Sequence, residues 1–215
     1  MRDRARIAVL VSGGGTNLQA LLDREKAGDL PHGEICLVVS NRKGAYALER
    51  ARKADLPALY IPRKKGEGPA FEEKLLTALK EEAIDLVVLA GFLAILSEDF
   101  LRAFAGPILN IHPSLIPSFC GPGYYGLKVH EAALERGVRV TGATVHLVNA
   151  EPDGGPILLQ KAVEVRPDDS PETLQKRVME EAEWILLPRA TEDLAREIVT
   201  RRSGEKNSER REERP

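Results

Sequence analysis

Short, uninterrupted apolar runs alternate with stretches of helical periodicity from residue 6 onward, and a chain written this way is confined to a layered α/β architecture. The first run covers 6–11 and is followed by a glycine turn and a helix from Thr16 that carries Leu18, Leu21 and Leu22 on one face. A second run, 34–40, has Ile35, Leu37, Val38 and Val39 as its core. Helical patterns over 44–54 and 70–82 flank an edge-like strand at 57–61. The most apolar run, 85–90, leads to a short helix from Ser97 and a strand at 107–111. Strands that are apolar at every position, rather than at every second one, are buried on both faces. Such strands form a mostly parallel sheet with helices on both sides and right-handed crossovers.

The pattern changes after His112. A loop rich in Pro, Gly and Tyr runs to Gly126 and a helix covers 127–135. Strands at 138–148 and 156–165 follow, joined closely enough to pair antiparallel. The expected fold is therefore a single Rossmann-like open α/β sheet with an antiparallel C-terminal extension. Ser170-Pro171-Glu172-Thr173 reads as a capped helix start. That helix is expected to pass Trp184 and reach about Thr200, with a kink at Pro188. One domain would then span 1–200. The segment 201–215 has no apolar residue and is expected to be a disordered charged tail.

At 215 residues, 43% hydrophobic and 30% charged, the chain can bury a substantial core. Its net charge of −2 supplies no basic field for nucleic acid. No apolar run reaches the ~18 residues of a membrane span, and the basic N-terminus enters a strand without a leader pattern, so a cytoplasmic protein is expected. Two cysteines, Cys36 and Cys120, are too few for a disulfide framework or a zinc cluster. Cys36 reads as inert core, whereas Cys120 lies in a loop and is the one whose reactivity is of interest. Five Asn and three Gln against many Arg and Glu is a weak thermophile bias.

Three segments carry chemistry. Ser12-Gly13-Gly14-Gly15-Thr16-Asn17 joins the first strand to the first helix, where glycines admit a ligand to the backbone and a helix N-terminus offers free N–H groups. Leu18 occupies the place of the third glycine of a dinucleotide turn, and the second strand ends in Ser40-Asn41 without an acid for a ribose. No Gly-Lys-Ser/Thr follows either, so a bare phosphomonoester is the better ligand. Asn110 and His112 leave one strand on the same face, and Pro113 ends that strand. The end of a buried strand is where open α/β sheets place their chemistry. Asp153 follows the next strand, and the glycines after it let the chain turn sharply. His32, His130 and His146 have no partner pattern and read as structural.

Residues 9–18, 87–92, 109–117 and 142–156, together with the last helix, resemble the phosphoribosylglycinamide formyltransferases, a folate-dependent family of purine synthesis. The segment Asn110-Ile111-His112-Pro113-Ser114-Leu115-Ile116-Pro117 with a later Asp153-Gly154-Gly155 is specific to enzymes that use formyltetrahydrofolate. The resemblance implies transfer of the formyl group of 10-formyltetrahydrofolate, a co-substrate, to the amine of glycinamide ribonucleotide. It implies no metal and no nicotinamide, small molecules as partners, no nucleic acid or membrane, and is compatible with a homodimer. Asn110 corresponds to the amide that holds the formyl oxygen and His112 to the proton donor. Asp153 corresponds to the carboxylate that keeps the imidazole protonated and oriented. Gly15, Thr16 and Asn17 correspond to the grip on the 5′-phosphate, and Glu183 to a substrate-contacting glutamate. Leu93, Ala94, Ile95 and Leu96 correspond, with Asn110, to the folate site. Ala94 and Gly68 stand where relatives carry basic residues, and Arg63, Lys64 and Lys65 are near enough to supply charge instead.

Relatives that share the Asn-His-Asp trio differ in appended parts. A methionyl-tRNA formyltransferase is expected to add a basic C-terminal domain, and a formyltetrahydrofolate hydrolase a regulatory domain before the first strand. A non-catalytic sugar-phosphate binder would keep the glycine turn but needs no such trio. Leu18 and Asn41 argue against a nicotinamide oxidoreductase.

Overall fold

A computed structural model describes residues 3–64 and 66–212, with side chains through residue 204. The elements run β1 (Ala5–Val11), α1 (Thr16–Lys26), β2 (Gly33–Ser40), α2 (Tyr46–Lys53), β3 (Ala58–Tyr60), α3 (Gly68–Glu81), β4 (Leu86–Leu89), α4 (Glu98–Ala103) and β5 (Ile108–His112). Then come α5 (Leu127–Arg136), β6 (Val140–Leu147), β7 (Ile157–Glu164), α6 (Pro171–Val178), a π-helical turn at Met179–Glu183 and α7 (Trp184–Glu212). The seven strands form one sheet in the order β3-β2-β1-β4-β5-β6-β7. The first five are parallel, and β6 and β7 continue the sheet antiparallel. This is the open sheet with an antiparallel extension that the apolar pattern predicts.

The unbroken apolar runs are explained by two cores, one on each face. Ile7, Val9 and Val11 of β1 join Leu18, Leu21, Leu174, Val178 and Leu187 from α1, α6 and α7. Ala8 and Leu10, pointing the other way, join Phe71, Leu75, Leu79 and Phe100 from α3 and α4. Each fully buried Leu or Phe of this set contributes about 1.5–3 kcal/mol relative to leaving it exposed. Helix starts are fixed locally. Ser97 caps α4 by accepting from the Phe100 N–H and donates its own hydroxyl to Glu72 of α3. Ser170 and Thr173 form a reciprocal capping box at α6.

Two features differ from the sequence expectation. The irregularity expected at Pro188 lies one turn earlier, in the π turn at Met179–Glu183. Pro188 has no N–H to give the carbonyl four residues back, and that carbonyl belongs to Trp184, where the π turn ends. In addition, α7 does not stop near Thr200 but continues through Glu212. Arg202 pairs with Asp85 beside β4, and Ser203 donates to the Val199 carbonyl. A run of Arg, Glu and Lys propagates a helix through local backbone bonds without needing an apolar face. Residues 213–215 of the expected tail lie outside the described residues. Among the described residues no helix is long and apolar enough to cross a membrane.

Candidate active site

The sheet topology brings the chemistry-bearing segments to one end of the strands. β1 and β4 are adjacent at the centre while β2 and β5 lie outward on either side, so their C-terminal loops open a crevice there. Ser12, at the end of β1, ties three loops together. Its N–H donates to the Gly91 carbonyl, its hydroxyl donates to Asn41 Oδ1 at 2.7 Å, and the Leu93 N–H donates to its oxygen at 2.9 Å.

Asn110 and His112 emerge on one face of β5, as their spacing predicts. Antiparallel pairing sets His146 opposite Asn110 and Thr144 opposite His112, so all four side chains share that face. Thr144 is fully buried and donates to the Ser114 carbonyl at 2.7 Å, while its oxygen accepts the Ile116 N–H at 3.1 Å. The Pro-Ser-Leu loop after His112 is thereby fastened to β6.

His112 is buried, with Nε2 2.8 Å from the Phe119 carbonyl and Nδ1 3.5 Å from Asp153 Oδ2. The carbonyl can only accept, so Nε2 carries a proton and Nδ1 is the nitrogen left for exchange. Burial pulls the His112 pKa below the ordinary histidine value. The Asp153 charge and the Phe119 carbonyl oppose that shift without reversing it, and His146 adds to it. This corrects the expectation that Asp153 keeps the resting imidazole protonated. Its charge acts in that direction, but the cost of burying a cation is larger.

Asp153 reaches the site from the loop after β6. Its own backbone has φ 56°, so the left-handed turn falls on the aspartate rather than on the glycines behind it. Gly155 is required for a different reason, since a β-carbon there would lie 1.8 Å from the Leu147 carbonyl oxygen. The carboxylate accepts the Gly121 N–H at 2.8 Å and an Asn110 Nδ2 hydrogen at 3.4 Å. Burial acts to raise its pKa, but His146 and His112 in their charged forms and the Gly121 N–H together hold it below the usual value.

His146 was expected to be structural, yet it stands inside this cluster. Nδ1 donates to its neighbour's carbonyl, Leu147 O, at 2.8 Å, and Nε2 lies 3.0 Å from Asn110 Nδ2 and 3.6 Å from Asp153 Oδ1. Strand alternation alone shows that His146 faces away from Val145 and Leu147. Only the β5–β6 register shows what it faces.

The glycine turn lies across the crevice. Gly15 has φ 73°, and a β-carbon there would sit 2.6 Å from that of Ala47 on α2. Gly13 and Gly14 are exposed and nothing lies near where their β-carbons would be. The turn is clamped from behind by the Ala47 N–H on the Gly13 carbonyl and by Arg50 Nε on the Gly14 carbonyl at 2.8 Å. α1 has no side-chain cap, which leaves its first N–H groups open to an anion. The Thr16 hydroxyl lies 3.6 Å from Met179 Sδ, and Asn17 Nδ2 lies 2.6 Å from Glu183 Oε2. The π turn carries Glu183 inward to a buried position there.

Leu93 and Ile95 are exposed, whereas Ala94 and Leu96 are buried. Two concavities flank this segment. One of about 480 Å³ opens between Arg42, His112 and the Gly121–Gly126 loop, and a narrower one of about 110 Å³ runs beneath Leu96, Val148 and Asn149. They share Phe92, Ala94, Ile95, Asn110, Pro152 and Asp153 as a common wall. Arg63 extends to within 3.5 Å of the Ile95 carbonyl, Lys64 pairs with Glu67, and Lys65 lies outside the described residues. Among the described residues no group of three or more His, Cys, Asp or Glu side chains is arranged to hold a metal ion. Cys36 is buried, and Cys120, half-buried beside the site, has its thiol pKa raised by burial and by the nearby Asp153 and Glu151 charges.

Comparison with known proteins places this geometry in context. The family described as formyl transferase matches residues 5–191. A phosphoribosylglycinamide formyltransferase of Haemophilus influenzae is 43% identical over 177 residues, covering 82% of this chain and 81% of that one. The chloroplastic phosphoribosylglycinamide formyltransferase of Arabidopsis thaliana is 42% identical over 180 residues, which are 83% of this chain, and the match spans only 61% of that longer protein. The crystal structure of glycinamide ribonucleotide transformylase 1 from Symbiobacterium toebii superposes with a TM-score of 0.83 at 43% identity, covering 91% of this chain and 90% of that one.

Proposed function

This chain belongs to the formyl transferase family, and from that premise we propose that it moves the formyl group of 10-formyltetrahydrofolate onto the amine of glycinamide ribonucleotide. The observation that carries this reading is the shared wall. A recess of about 480 Å³ lined by His112 and a smaller one of about 110 Å³ meet at Asn110 and Asp153. Direct transfer between two nitrogens needs such a junction, because donor and acceptor must lie in contact before any bond changes. The similar proteins are named for formyl transfer to phosphoribosylglycinamide, which supports the acceptor and the group transferred.

In the proposed chemistry the acceptor amine attacks the formyl carbon and gives a tetrahedral species with an oxyanion. Asn110 Nδ2 spends one hydrogen on His146 and points the other at Asp153 over 3.4 Å. The second hydrogen is weakly held and is the one offered to the oxyanion, a contribution of about 3–4 kcal/mol for a well-placed donor. His112, neutral at rest through burial, takes the proton of the attacking amine on Nδ1 and returns it to the departing folate nitrogen. Asp153, 3.5 Å from that nitrogen, stabilises the imidazolium while it exists. Leu93, Ala94, Ile95 and Leu96 line the folate side. Arg63 stands where its guanidinium can meet an anionic tail that Ala94 and Gly68 cannot. Gly13 to Asn17 receive the acceptor phosphate.

The test is an assay of the purified protein with glycinamide ribonucleotide and 10-formyltetrahydrofolate, following formylated product. His112→Ala should lower kcat by roughly 10²–10⁴ with substrate affinity nearly intact. Glycinamide riboside, lacking the phosphate, should react far more slowly. Formyl transfer to water or to aminoacyl-tRNA instead would overturn the reading.

A further inference from the structure

Arg50 leaves α2 with three contacts, and every one of them is neutral. Its Nε donates to the Gly14 carbonyl at 2.8 Å, a terminal nitrogen donates to Gln19 Oε1 at 2.9 Å, and Cζ lies 5.0 Å from the centroid of the Tyr46 ring. Among the described residues no carboxylate forms an ion pair with it, whereas Arg52 on the same helix pairs with Glu49. A carbonyl, an amide oxygen and an aromatic face fix the guanidinium in place but leave its charge un-neutralised.

Peptide geometry converts this clamp into an orientation. In a trans peptide the C=O and the N–H that follows it point in opposite directions. The Gly13 carbonyl is held by the Ala47 N–H at 3.2 Å and the Gly14 carbonyl by Arg50, both on α2. The N–H groups of Gly14 and Gly15 therefore point away from α2. The Gly15 carbonyl accepts the Gln19 N–H at 2.9 Å, so the Thr16 N–H points out of the start of α1. Among the described residues none of these three N–H groups has a partner, and Gly13 and Gly14 are exposed. Successive free N–H groups on a turn make an anion-binding concavity. Residues 12–17 contain no Lys or Arg, and among the described residues Arg50 is the one cation hydrogen-bonded to them.

We propose that Arg50 is a positioning residue for the acceptor phosphate. It turns the Gly14–Gly15 peptide so that its N–H faces the anion, and it places behind that peptide the positive charge that the turn itself lacks. Gln19 and Tyr46 hold the guanidinium in this pose. Arg50 acts through the Gly14 carbonyl rather than by touching the phosphate. This role rests on the reading that the glycine turn receives the phosphate of the acceptor.

Calorimetric titration of the full chain with glycinamide ribonucleotide and, separately, with 10-formyltetrahydrofolate tests the role. Arg50→Gln removes both the charge and the fork. It should weaken the ribonucleotide by roughly 10–100-fold, the scale of a hydrogen bond to a charged group, and the folate far less. Arg50→Lys keeps the charge on a side chain that cannot make all three contacts, and should recover part of the loss. Nitrogen NMR of the wild-type Arg50 Nε–H gives a second reading that needs no variant. Its resonance should move when the ribonucleotide is added and stay in place with glycinamide riboside. An Arg50→Gln protein that binds the ribonucleotide as tightly as wild type, or that loses both co-substrates equally, would overturn the role while acceptor binding stands. So would an Arg50→Lys protein no better than Arg50→Gln, or an Nε–H that responds alike to ribonucleotide and riboside. A wild type that binds riboside as tightly as ribonucleotide would overturn the reading of the glycine turn, and this inference with it.

Discussion

Nδ2 of Asn110 stands 3.0 Å from Nε2 of His146, a residue directly opposite it on the neighbouring antiparallel strand. The Leu147 carbonyl takes the Nδ1 proton of that ring, so the neutral imidazole presents a lone pair to Asn110. A lone pair accepts N–H and rejects the amide oxygen. His146 thereby decides which end of Asn110 can act on a developing oxyanion.

Replacing His146 by Phe should therefore lower kcat by roughly 10–100-fold through a misoriented Asn110, with little change in substrate affinity. His146→Gln, which can still offer an acceptor, should recover part of the loss. Steady-state kinetics that separate kcat from KM check this. Equal losses in both variants, or a loss confined to KM, would remove the orienting role.

Asp153→Asn should move the His112 titration further below its already lowered position, because the charge opposing burial is gone. Activity should fall with it, since the imidazolium formed during proton transfer loses its counter-charge. NMR titration of the two imidazoles in both proteins reads the shift directly. An unmoved His112 would mean that 3.5 Å of separation carries no coupling.

The glycines of the turn should separate by role. Gly15→Ala combines a positive φ with a collision against Ala47, so thermal stability should drop by roughly 1–3 kcal/mol. Gly14→Ala meets open space and should leave the melting temperature unchanged while weakening binding of the phosphorylated acceptor. Paired melting and binding measurements distinguish the two. A Gly14→Ala protein that binds normally would move the phosphate elsewhere.

His130 should dominate part of the acid limb of stability. It is fully buried, neither ring nitrogen has a hydrogen-bond partner, and burial lowers its pKa to about 4, with His112 adding to the shift. The unfolded chain takes up a proton below the ordinary histidine value of about 6.5 while the native chain refuses it. Stability is therefore complete above that value and is lost as pH falls toward about 4, by up to about 3 kcal/mol. His130→Leu should flatten the fall of melting temperature over that window. An unchanged slope would assign the acid sensitivity to other groups.

Much of the architecture could be read from local pattern. The unbroken apolar runs predict strands covered on both faces, and the split of β1 between two cores is the reason that they have no polar positions. The capped start at Ser170 and the edge character of β3 were equally local. The continuation of α7 past Thr200 was not, because an absence of apolar residues does not prevent a charged helix and the Arg202–Asp85 pair joins residues far apart in the chain.

For the site, the sequence by itself determined the inventory: Asn110 and His112 on one strand face, Asp153 beyond the next strand, and a glycine turn open to an anion. The contacts that convert this inventory into chemistry were decided only by tertiary structure. The β5–β6 register brought His146 to Asn110, and the π turn brought Glu183 to Asn17. Burial turned His112 toward the neutral form despite its aspartate. The physical reason is range. Propensity and periodicity act over a few residues, whereas strand register, desolvation and the choice of hydrogen-bond donor are set by groups dozens of positions away that only the folded chain brings within 4 Å.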